Sequence, residues 1–314
     1  MKFSLVIPVY NRPEEINELL DSLTKQQKFE DDFEIIIVED GSDKTSKNIV
    51  EKYNNSLNIH YYFKENSGAG QSRNYGMERA NGDYFIILDS DCIIPEFYLF
   101  NVSEALKKQY TDAFGGPDAA HDSFTITQKA INYSMTSLLT TGGIRGKKNG
   151  IGKFQLRSFN MGISKKAFEK TNGFSKMKYG EDIDMTFRLW ENRFETQLIP
   201  SAFVYHKRRA TLKAFFKQTY NFGTARPILN RKYPESRKLT FWFPSLFVLF
   251  FIFAIICSFF QFYIPFYFIG VYLALNFFAS TLLNKNAIVG LLSIITTIVQ
   301  FFGYGLGFLK SKLF

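Results

Sequence analysis

Two carboxylates one residue apart, Asp89-Ser90-Asp91, follow the uninterrupted apolar run Tyr84-Phe85-Ile86-Ile87-Leu88. Roughly one such triplet arises by chance in a chain this long, and Asp182-Ile183-Asp184 is a second. Context separates them. A buried strand would deliver Asp89 and Asp91 to a sheet edge, where paired carboxylates suit a hard divalent ion that bridges diphosphate oxygens. Oxygen ligands favour Mg²⁺ or Mn²⁺ over zinc. Asp182 belongs to Gly180-Glu181-Asp182, which opens a segment with Ile183, Phe187, Leu189 and Trp190 on a helical period. Acids there either complement the positive end of a helix or offer a general base to a site. His206 ends a short strand pattern over 202–205 and precedes Lys207-Arg208-Arg209. It is either structural or a completing metal ligand. The basic run is a solvated face or, ahead of apolar segments, a contact for anionic lipid or acceptor phosphates.

Asp40 closes another apolar run, and Gly41-Ser42 then turns the chain. A carboxylate there can accept hydrogen bonds from a base or ribose, or cap a turn. Asn66-Ser67-Gly68-Ala69-Gly70 precedes a helical segment with Arg73 and Asn74. It has the form of a phosphate cradle, since helix N-termini favour anions. It lacks the Lys-Ser/Thr ending of a P-loop and the full dinucleotide fingerprint.

The elements that position these residues follow from the apolar pattern. Strands are expected at 3–9, 33–39, 59–63 and 84–89, with helices at 13–26, 46–53, 70–80 and 96–109. Continuous apolar strands alternating with helices imply a mainly parallel α/β sheet covered on both faces. Ligands of such sheets collect at the carboxyl ends of the strands. Those ends carry Tyr10-Asn11-Arg12, Glu39-Asp40-Gly41-Ser42 and Asp89-Ser90-Asp91.

The remainder of the chain is of another kind. With 314 residues, 46% of them hydrophobic, the composition excludes a collagen-like or disordered chain. Two cysteines exclude a disulfide scaffold or a Cys-rich zinc module. All 29 acidic residues and all but three of the 38 basic ones lie in the first 238 positions. The exceptions are Lys285, Lys310 and Lys312, so a purely soluble protein is excluded. Uncharged runs at 239–284 and 286–309 are long enough for two spans and one span, at about 20 residues per helix. Helices are expected at 242–260, 265–283 and 288–309. Arg226, Arg231, Lys232, Arg237 and Lys238 place the start of the first span in the cytoplasm. Lys285 then returns inside, which leaves Lys310 and Lys312 outside. Either the stronger N-terminal cluster dominates, or the third segment is re-entrant or interfacial. No signal peptide precedes the first strand, so Cys92 and Cys257 read as unpaired thiols in a reducing setting.

In order along the chain stand Ile7-Pro8-Val9-Tyr10-Asn11-Arg12, Val38-Glu39-Asp40-Gly41-Ser42, Gly68 with Arg73-Asn74 and Gly82-Asp83, and Leu88-Asp89-Ser90-Asp91. Phe159-Asn160-Met161, Gly173-Phe174 and Gly180-Glu181-Asp182-Ile183-Asp184 follow. This ordered set, over about residues 1–206, resembles the family 2 glycosyltransferases of the GT-A fold. The resemblance implies a GT-A nucleotide-diphospho-sugar transferase domain at 1–210, with a mainly parallel central sheet. A basic juxtamembrane segment at 211–238 and a transmembrane region of two to three helices at 239–314 would follow it.

The implied chemistry is inverting and metal-assisted, with a nucleotide diphosphate-sugar donor. By position, Pro8, Tyr10 and Asp40 would line the nucleoside pocket and Arg73 would lie near base or phosphates. Asp89 would approach the ribose and Asn160 the donor sugar. Asp91 would bind Mg²⁺ or Mn²⁺, with His206 as second ligand, and Asp182 would be the catalytic base. Gly115-Gly116 would leave room for the sugar or acceptor. Polymer-extruding relatives carry Gln-x-x-Arg-Trp beyond the base; here the nearest segment is Gln218-Thr219-Tyr220-Asn221-Phe222, which points to one sugar per encounter. The implied partners are the donor, a lipid-linked acceptor and membrane lipid, with no nucleic acid. The acceptor of first choice is a polyprenyl diphosphate-linked oligosaccharide in cell-surface glycan assembly; another glycolipid or a pigment lipid is second. The implied location is the cell (inner) membrane with the catalytic domain on the cytoplasmic side. A nucleotidyltransferase would want a more basic Gly-rich opening loop than Pro8-Val9-Tyr10-Asn11. A non-catalytic membrane scaffold would have no need of Asp40, Asp91 and Asp182 together.

Overall fold

Every residue of β1 (Phe3–Val9) is buried, because the strand has covered faces on both sides and parallel neighbours at both edges. The computed structural model describes residues 1–29, 31–142 and 154–313. In chain order β1 is followed by α1 (Pro13–Leu23), β2 (Phe33–Asp40), α2 (Lys47–Val50), β3 (Ile59–Lys64), α3 (Ala69–Met77) and β4 (Tyr84–Leu88). Next come β5 (Cys92–Ile93), α4 (Tyr98–Lys108), β6 (Ala113–Gly115) and β7 (Asp118–Ala119). The chain then forms α5 (Ile126–Thr136) and α6 (Leu138–Thr141) before β8 (Asn160–Ser164), α7 (Lys165–Thr171), α8 (Glu181–Glu191), β9 (Thr196–Leu198) and β10 (Val204–His206).

Seven strands form one sheet in the order β3-β2-β1-β4-β8-β6-β9. It is parallel from β3 to β4, and β8 runs antiparallel to both its neighbours. The period of two sorts the side chains. Leu5, Ile7, Ile35 and Ile86 pack with Ile16, Leu19 and Leu20 of α1 and Leu99 and Val102 of α4 on one face. Val6, Ile36, Val38 and Ile87 pack with Met77 of α3 and Met185 and Leu189 of α8 on the other. α1 starts at Pro13, whose fixed φ suits a first helical position, and Glu14 and Glu15 complement its N-terminus. A second, three-stranded sheet has the order β5-β10-β7.

The chain separates into two compact units, one made of residues 1–119 and 154–206 and the other of 120–142 and 207–313. The second unit holds α5, α6, α9 (Leu212–Lys232), α10 (Phe243–Phe259), α11 (Ile264–Asn284) and α12 (Ala287–Leu313). Three of its helices, Leu239–Phe259, Ile264–Asn284 and Ala287–Leu313, are long and apolar enough to cross a membrane. The part of the basic 211–238 stretch up to Lys232 is thus a 21-residue helix. α5 packs Ile131 and Met135 against Phe215 of α9 and also bonds through polar groups. Ser134 Oγ lies 2.6 Å from Thr296 Oγ1, and Tyr133 donates to Asn276 Oδ1 at 3.3 Å.

Glycines let α9 and α12 approach closely. A Cβ on Gly303 would stand 2.1 Å from Thr219 Oγ1, one on Gly307 2.2 Å from Tyr220 O, and one on Gly223 2.1 Å from Tyr304 O. Small residues four apart permit this backbone contact. Gly307→Val forces a branched side chain against a carbonyl that cannot turn away, and overpacking of this kind costs about 1–3 kcal/mol. We expect a lowered thermal midpoint in detergent, while Gly270→Val, with nothing within 4 Å of the new Cβ, stays close to the wild type. Equal midpoints for the two variants would reject the close packing.

Candidate active site

Three parallel strands deliver polar residues to one edge of the sheet. β1 runs out through Tyr10, which is 51% exposed, to Asn11 and Arg12; Pro8 is buried within the strand. Asn11, at φ +52°, donates its N–H to Ser42 Oγ at 2.7 Å and accepts from Lys44 N at 3.0 Å, which joins the β1 and β2 ends. Asp40 at the end of β2 is buried. Its Oδ1 accepts from Lys64 and from Ser67 N at 2.9 Å, and its Oδ2 accepts from Gly68 N at 2.9 Å. Burial raises the Asp40 pKa, but Lys64 and these N–H groups outweigh it and leave the carboxyl below its usual value. The loop with the form of a phosphate cradle therefore already holds an anion, the protein's own Asp40, at two of its N–H groups. Gly68, at φ +89°, then opens α3.

Arg73 of α3 is 3% exposed and sits between two acids. Nη2 donates to Asp89 Oδ1 at 2.7 Å and Nη1 to Glu181 Oε1 at 3.1 Å, and the guanidinium lies over the Phe174 ring at 5.3 Å. Burial works against its charge, yet Asp89 and then Glu181 keep its pKa raised.

The pairing of β10 with β5 sets the next contact. Antiparallel register places His206 opposite Cys92, directly beside Asp91. His206 Nε2 is 3.1 Å from Asp91 Oδ1 and 4.0 Å from Asp89 Oδ2, and the imidazole stacks on Phe159 at 4.7 Å. Arg12 is bonded to the other Asp91 oxygen. Asp91 is 7% exposed, and burial alone would raise its pKa; His206 and then Arg12 hold it well below the carboxylate range.

Two buried atoms, Asp91 Oδ1 and His206 Nδ1, have no aligned hydrogen-bond partner among the described residues. An orphaned carboxylate oxygen facing an imidazole fits a small divalent cation. Cys92 lies in the same cluster, with one ligand atom from each of Asp91, Cys92 and His206 mutually within 4.8 Å. Burial and then Asp91 push its thiol pKa well up, and Sγ lies 3.6 Å from Phe159 O, so it remains a neutral packing group. The oxygen and imidazole set suits Mg²⁺ or Mn²⁺.

Asp182 lies in the first turn of α8, after Gly180 at φ +78°. Its Oδ1 accepts from Ile183 N at 2.8 Å, and its Oδ2 is 3.8 Å from Arg157 Nη1. Adjacent Glu181 is pushed up to about 7 by burial and then by Asp182, against the opposing charge of Arg73. Arg73 thus links the acid pair of α8 to Asp89 at the end of β4.

Asn160 and Gly115-Gly116, expected beside the donor sugar or acceptor, are closely packed. The Asn160 side chain is bonded within the protein. It is fully buried, accepts from Tyr98 Oη at 2.6 Å and donates to Ala202 O at 2.8 Å. Gly115-Gly116 leaves no spare room either: a Cβ on Gly115 would meet Phe154 at 2.5 Å, and one on Gly116 would meet Ala202 O at 1.9 Å. Arg12, Lys64 and Arg157 were not singled out from sequence as site residues, whereas Glu181 was read with Asp182 as part of the acidic opening of a helix. Arg12 had a signal, since it stands at the end of β1 within a quoted motif. Arg157 had none, as no periodic pattern surrounds it.

The Glycosyl transferase family 2 model matches residues 4–171. Over 114 residues the chain is 37% identical to the poly(ribitol-phosphate) beta-N-acetylglucosaminyltransferase TarS of Staphylococcus aureus, covering 36% of this chain and 20% of that one. It is 40% identical over 114 residues to a poly(ribitol-phosphate) beta-glucosyltransferase of Bacillus spizizenii, covering 35% of this chain and 17% of that one. Among solved structures, S. aureus TarS 1–349 with UDP-GlcNAc superposes at a TM-score of 0.53 and 24% identity, covering 71% of this chain and 66% of that one. The mannosyltransferase PcManGT of Pyrobaculum calidifontis, with GDP-Man and Mn²⁺, gives 0.55 at 15% identity, covering 72% and 64%. These two similarities establish the fold. The chain spans a fifth or less of the two curated relatives.

Proposed function

The chain belongs to glycosyl transferase family 2, and from that premise we propose that it moves one sugar, with inversion, from a nucleotide diphosphate-sugar to a membrane-held acceptor. The observation that carries the reading is the convergence of Asp91, His206, Asp89 and Arg73 at the carboxyl ends of β1, β2 and β4. Pro8, Tyr10 and Asp40 belong to the nucleoside side of that edge. Arg73 supplies a fixed, desolvated positive charge there, held in place by Asp89 and Glu181. Asp91 and His206 would hold Mg²⁺ or Mn²⁺, which, when bound, stabilises charge on a departing diphosphate.

Asp182 is the proposed base. It accepts the proton of the acceptor hydroxyl as that oxygen forms its bond to the anomeric carbon. The bond to the diphosphate breaks, and the electron pair leaves with the nucleotide. Arg157 Nη1 stands 3.8 Å from Asp182 Oδ2.

The three apolar helices support a membrane location and hence an acceptor anchored in lipid. A polyprenyl diphosphate-linked oligosaccharide is the first choice. Poly(ribitol phosphate) is a second acceptor to include, because two relatives carry it in their names and the net charge of +9 suits an anionic polymer.

The test is release of free nucleoside diphosphate by the detergent-purified full chain, across a panel of UDP-, GDP- and dTDP-sugars, with and without each acceptor. Release with one donor that rises on adding a lipid-linked acceptor is the expected result. Silence across the whole panel, or equal release with and without every acceptor, rejects the reading.

A further inference from the structure

Each of the three acids at the strand ends is matched by a cation of the protein's own. Asp40 is bonded to Lys64, Asp89 to Arg73 and Asp91 to Arg12. The three cations differ in how firmly they are held. Lys64 also donates to Glu65 O and Ser67 Oγ, both at 2.7 Å. Arg73 is shared between Asp89 and Glu181 and lies over the Phe174 ring. Arg12 has Asp91 as its single ion-pair partner among the described residues, and its side chain is 29% exposed against 14% for Lys64 and 3% for Arg73. Of the three, Arg12 is the one that leaves its acid most easily.

Its backbone is fixed on both sides. Asn11 before it is tied to the loop after β2 through Ser42 Oγ and Lys44 N. Pro13 after it opens α1, and the Arg12 carbonyl accepts from Ile16 N at 3.1 Å. The side chain thus swings about a fixed point. It is bonded to Asp91 Oδ2, while Asp91 Oδ1 faces His206 Nε2 at 3.1 Å. A divalent cation on Asp91 therefore meets a carboxylate whose charge is balanced and whose second oxygen is in use. A neighbouring positive charge weakens a carboxylate's hold on a proton by about 1–3 pKa units, and its hold on a metal cation falls in the same sense. A guanidinium keeps its charge throughout the physiological pH range, so Arg12 gives up Asp91 only for another anion.

We propose that Arg12 is a handover residue, which competes with the divalent cation for Asp91 and passes to the diphosphate of the donor when that arrives. The protein alone then holds the cation loosely, and holds it tightly together with a nucleoside diphosphate. A guanidinium suits this exchange because its paired N–H groups fit phosphate as well as carboxylate. The proposal rests on the reading that this edge of the sheet binds a nucleotide diphosphate-sugar. Binding of UDP or GDP to the wild-type chain tests that reading alone, whereas Mn²⁺ binding without nucleotide tests Arg12, so the two failures are distinguishable.

The experiment compares the detergent-purified full chain with Arg12→Gln, Arg12→Lys and, as a control for lost charge, Lys44→Gln, whose side chain is exposed. Calorimetry measures Mn²⁺ affinity without nucleotide, and UDP and GDP affinity in EDTA; the thermal midpoint reports the fold. Arg12→Gln is expected to bind Mn²⁺ about tenfold more tightly than the wild type, and to bind nucleotide more weakly. The opposite signs separate handover from a structural role, since a disturbed fold weakens both. Arg12→Lys, which keeps the charge, returns both affinities toward the wild type, and Lys44→Gln leaves both unchanged. Arg12→Met carries the same expectation as Arg12→Gln should the latter fail to fold. Equal Mn²⁺ binding by the wild type and the neutral variant, whether tight or undetectable, overturns the proposal, as does weaker binding in the variant. Unchanged nucleotide affinity in a variant that binds Mn²⁺ more tightly overturns it equally.

Discussion

Asp182→Asn lowers kcat by about 10²–10⁴-fold, the usual contribution of a positioned general base, with donor affinity nearly unchanged. Three roles compete for this residue, and the structure separates their signatures. As a helix-terminus acid, Asp182 accepts from Ile183 N at 2.8 Å; loss of a cap costs about 0.5–2 kcal/mol of stability and leaves chemistry alone. Asn retains an acceptor for that N–H, so stability should hold. As a metal ligand it would change the cation concentration required for turnover, yet it is outside the cluster of Asp91, Cys92 and His206. As a base, it fails only in taking the proton.

Glu181→Gln is the control, with a signature of its own. The folded pKa of Glu181, about 7, is above its usual 4.5, so the folded protein holds a proton that the unfolded chain releases first. Its contribution to stability is full below about pH 4.5 and is lost as pH rises to about 7. Glu181→Gln should flatten that fall in thermal midpoint while leaving turnover the less affected of the two. Calorimetric donor affinity, kcat and midpoint against pH are the measurements. Normal turnover in Asp182→Asn with a dead Glu181→Gln assigns the base to the other carboxylate.

Asp91→Ala reduces turnover by about 10²-fold or more, since a bound cation contributes several kcal/mol of charge stabilisation at 1.36 kcal/mol per factor of ten. It also weakens Mn²⁺ binding measured by calorimetry in the absence of donor, a readout that does not pass through activity. Removal of Asp91 leaves Arg12 and His206 facing each other without the carboxylate between them. A loss of fold is therefore checked with Asp91→Asn, which keeps the volume and an acceptor. Wild-type Mn²⁺ affinity in either folded variant would falsify the ligand assignment.

The strands that end at the site were legible because burial on both faces writes them as unbroken apolar runs: β1 matches residue for residue, and β2, β3 and β4 to within one residue. The apolar runs thereby put Asp40, Asp89 and Asp91 at strand ends, where the structure has them. What was not legible has no periodicity. β5, β7 and β10 are two or three residues long, too short for an alternation to register. α5 was not read from the sequence; besides Ile131 and Met135 it buries a hydroxyl and a tyrosine bonded to an amide. Asn160 and Gly115-Gly116 look functional by type, yet their environment commits them to packing, which only the neighbouring chain reveals. The apolar runs of the tail showed that helices exist, while their mutual level depends on pairs such as Trp242 with Phe308, far apart in sequence.

The pairing of β10 with β5 also has a temporal side. Domains form from the N-terminus as the chain is synthesised, and β1 to β4 can find their parallel neighbours early. β10 follows every other strand, so Asp91 waits for a partner until residue 206 has left the ribosome. Long-range pairings of this kind close late. The proposed cation-binding pair is completed only when the last strand docks, and a fragment that stops short of β10 carries Asp91 with Arg12 but without His206.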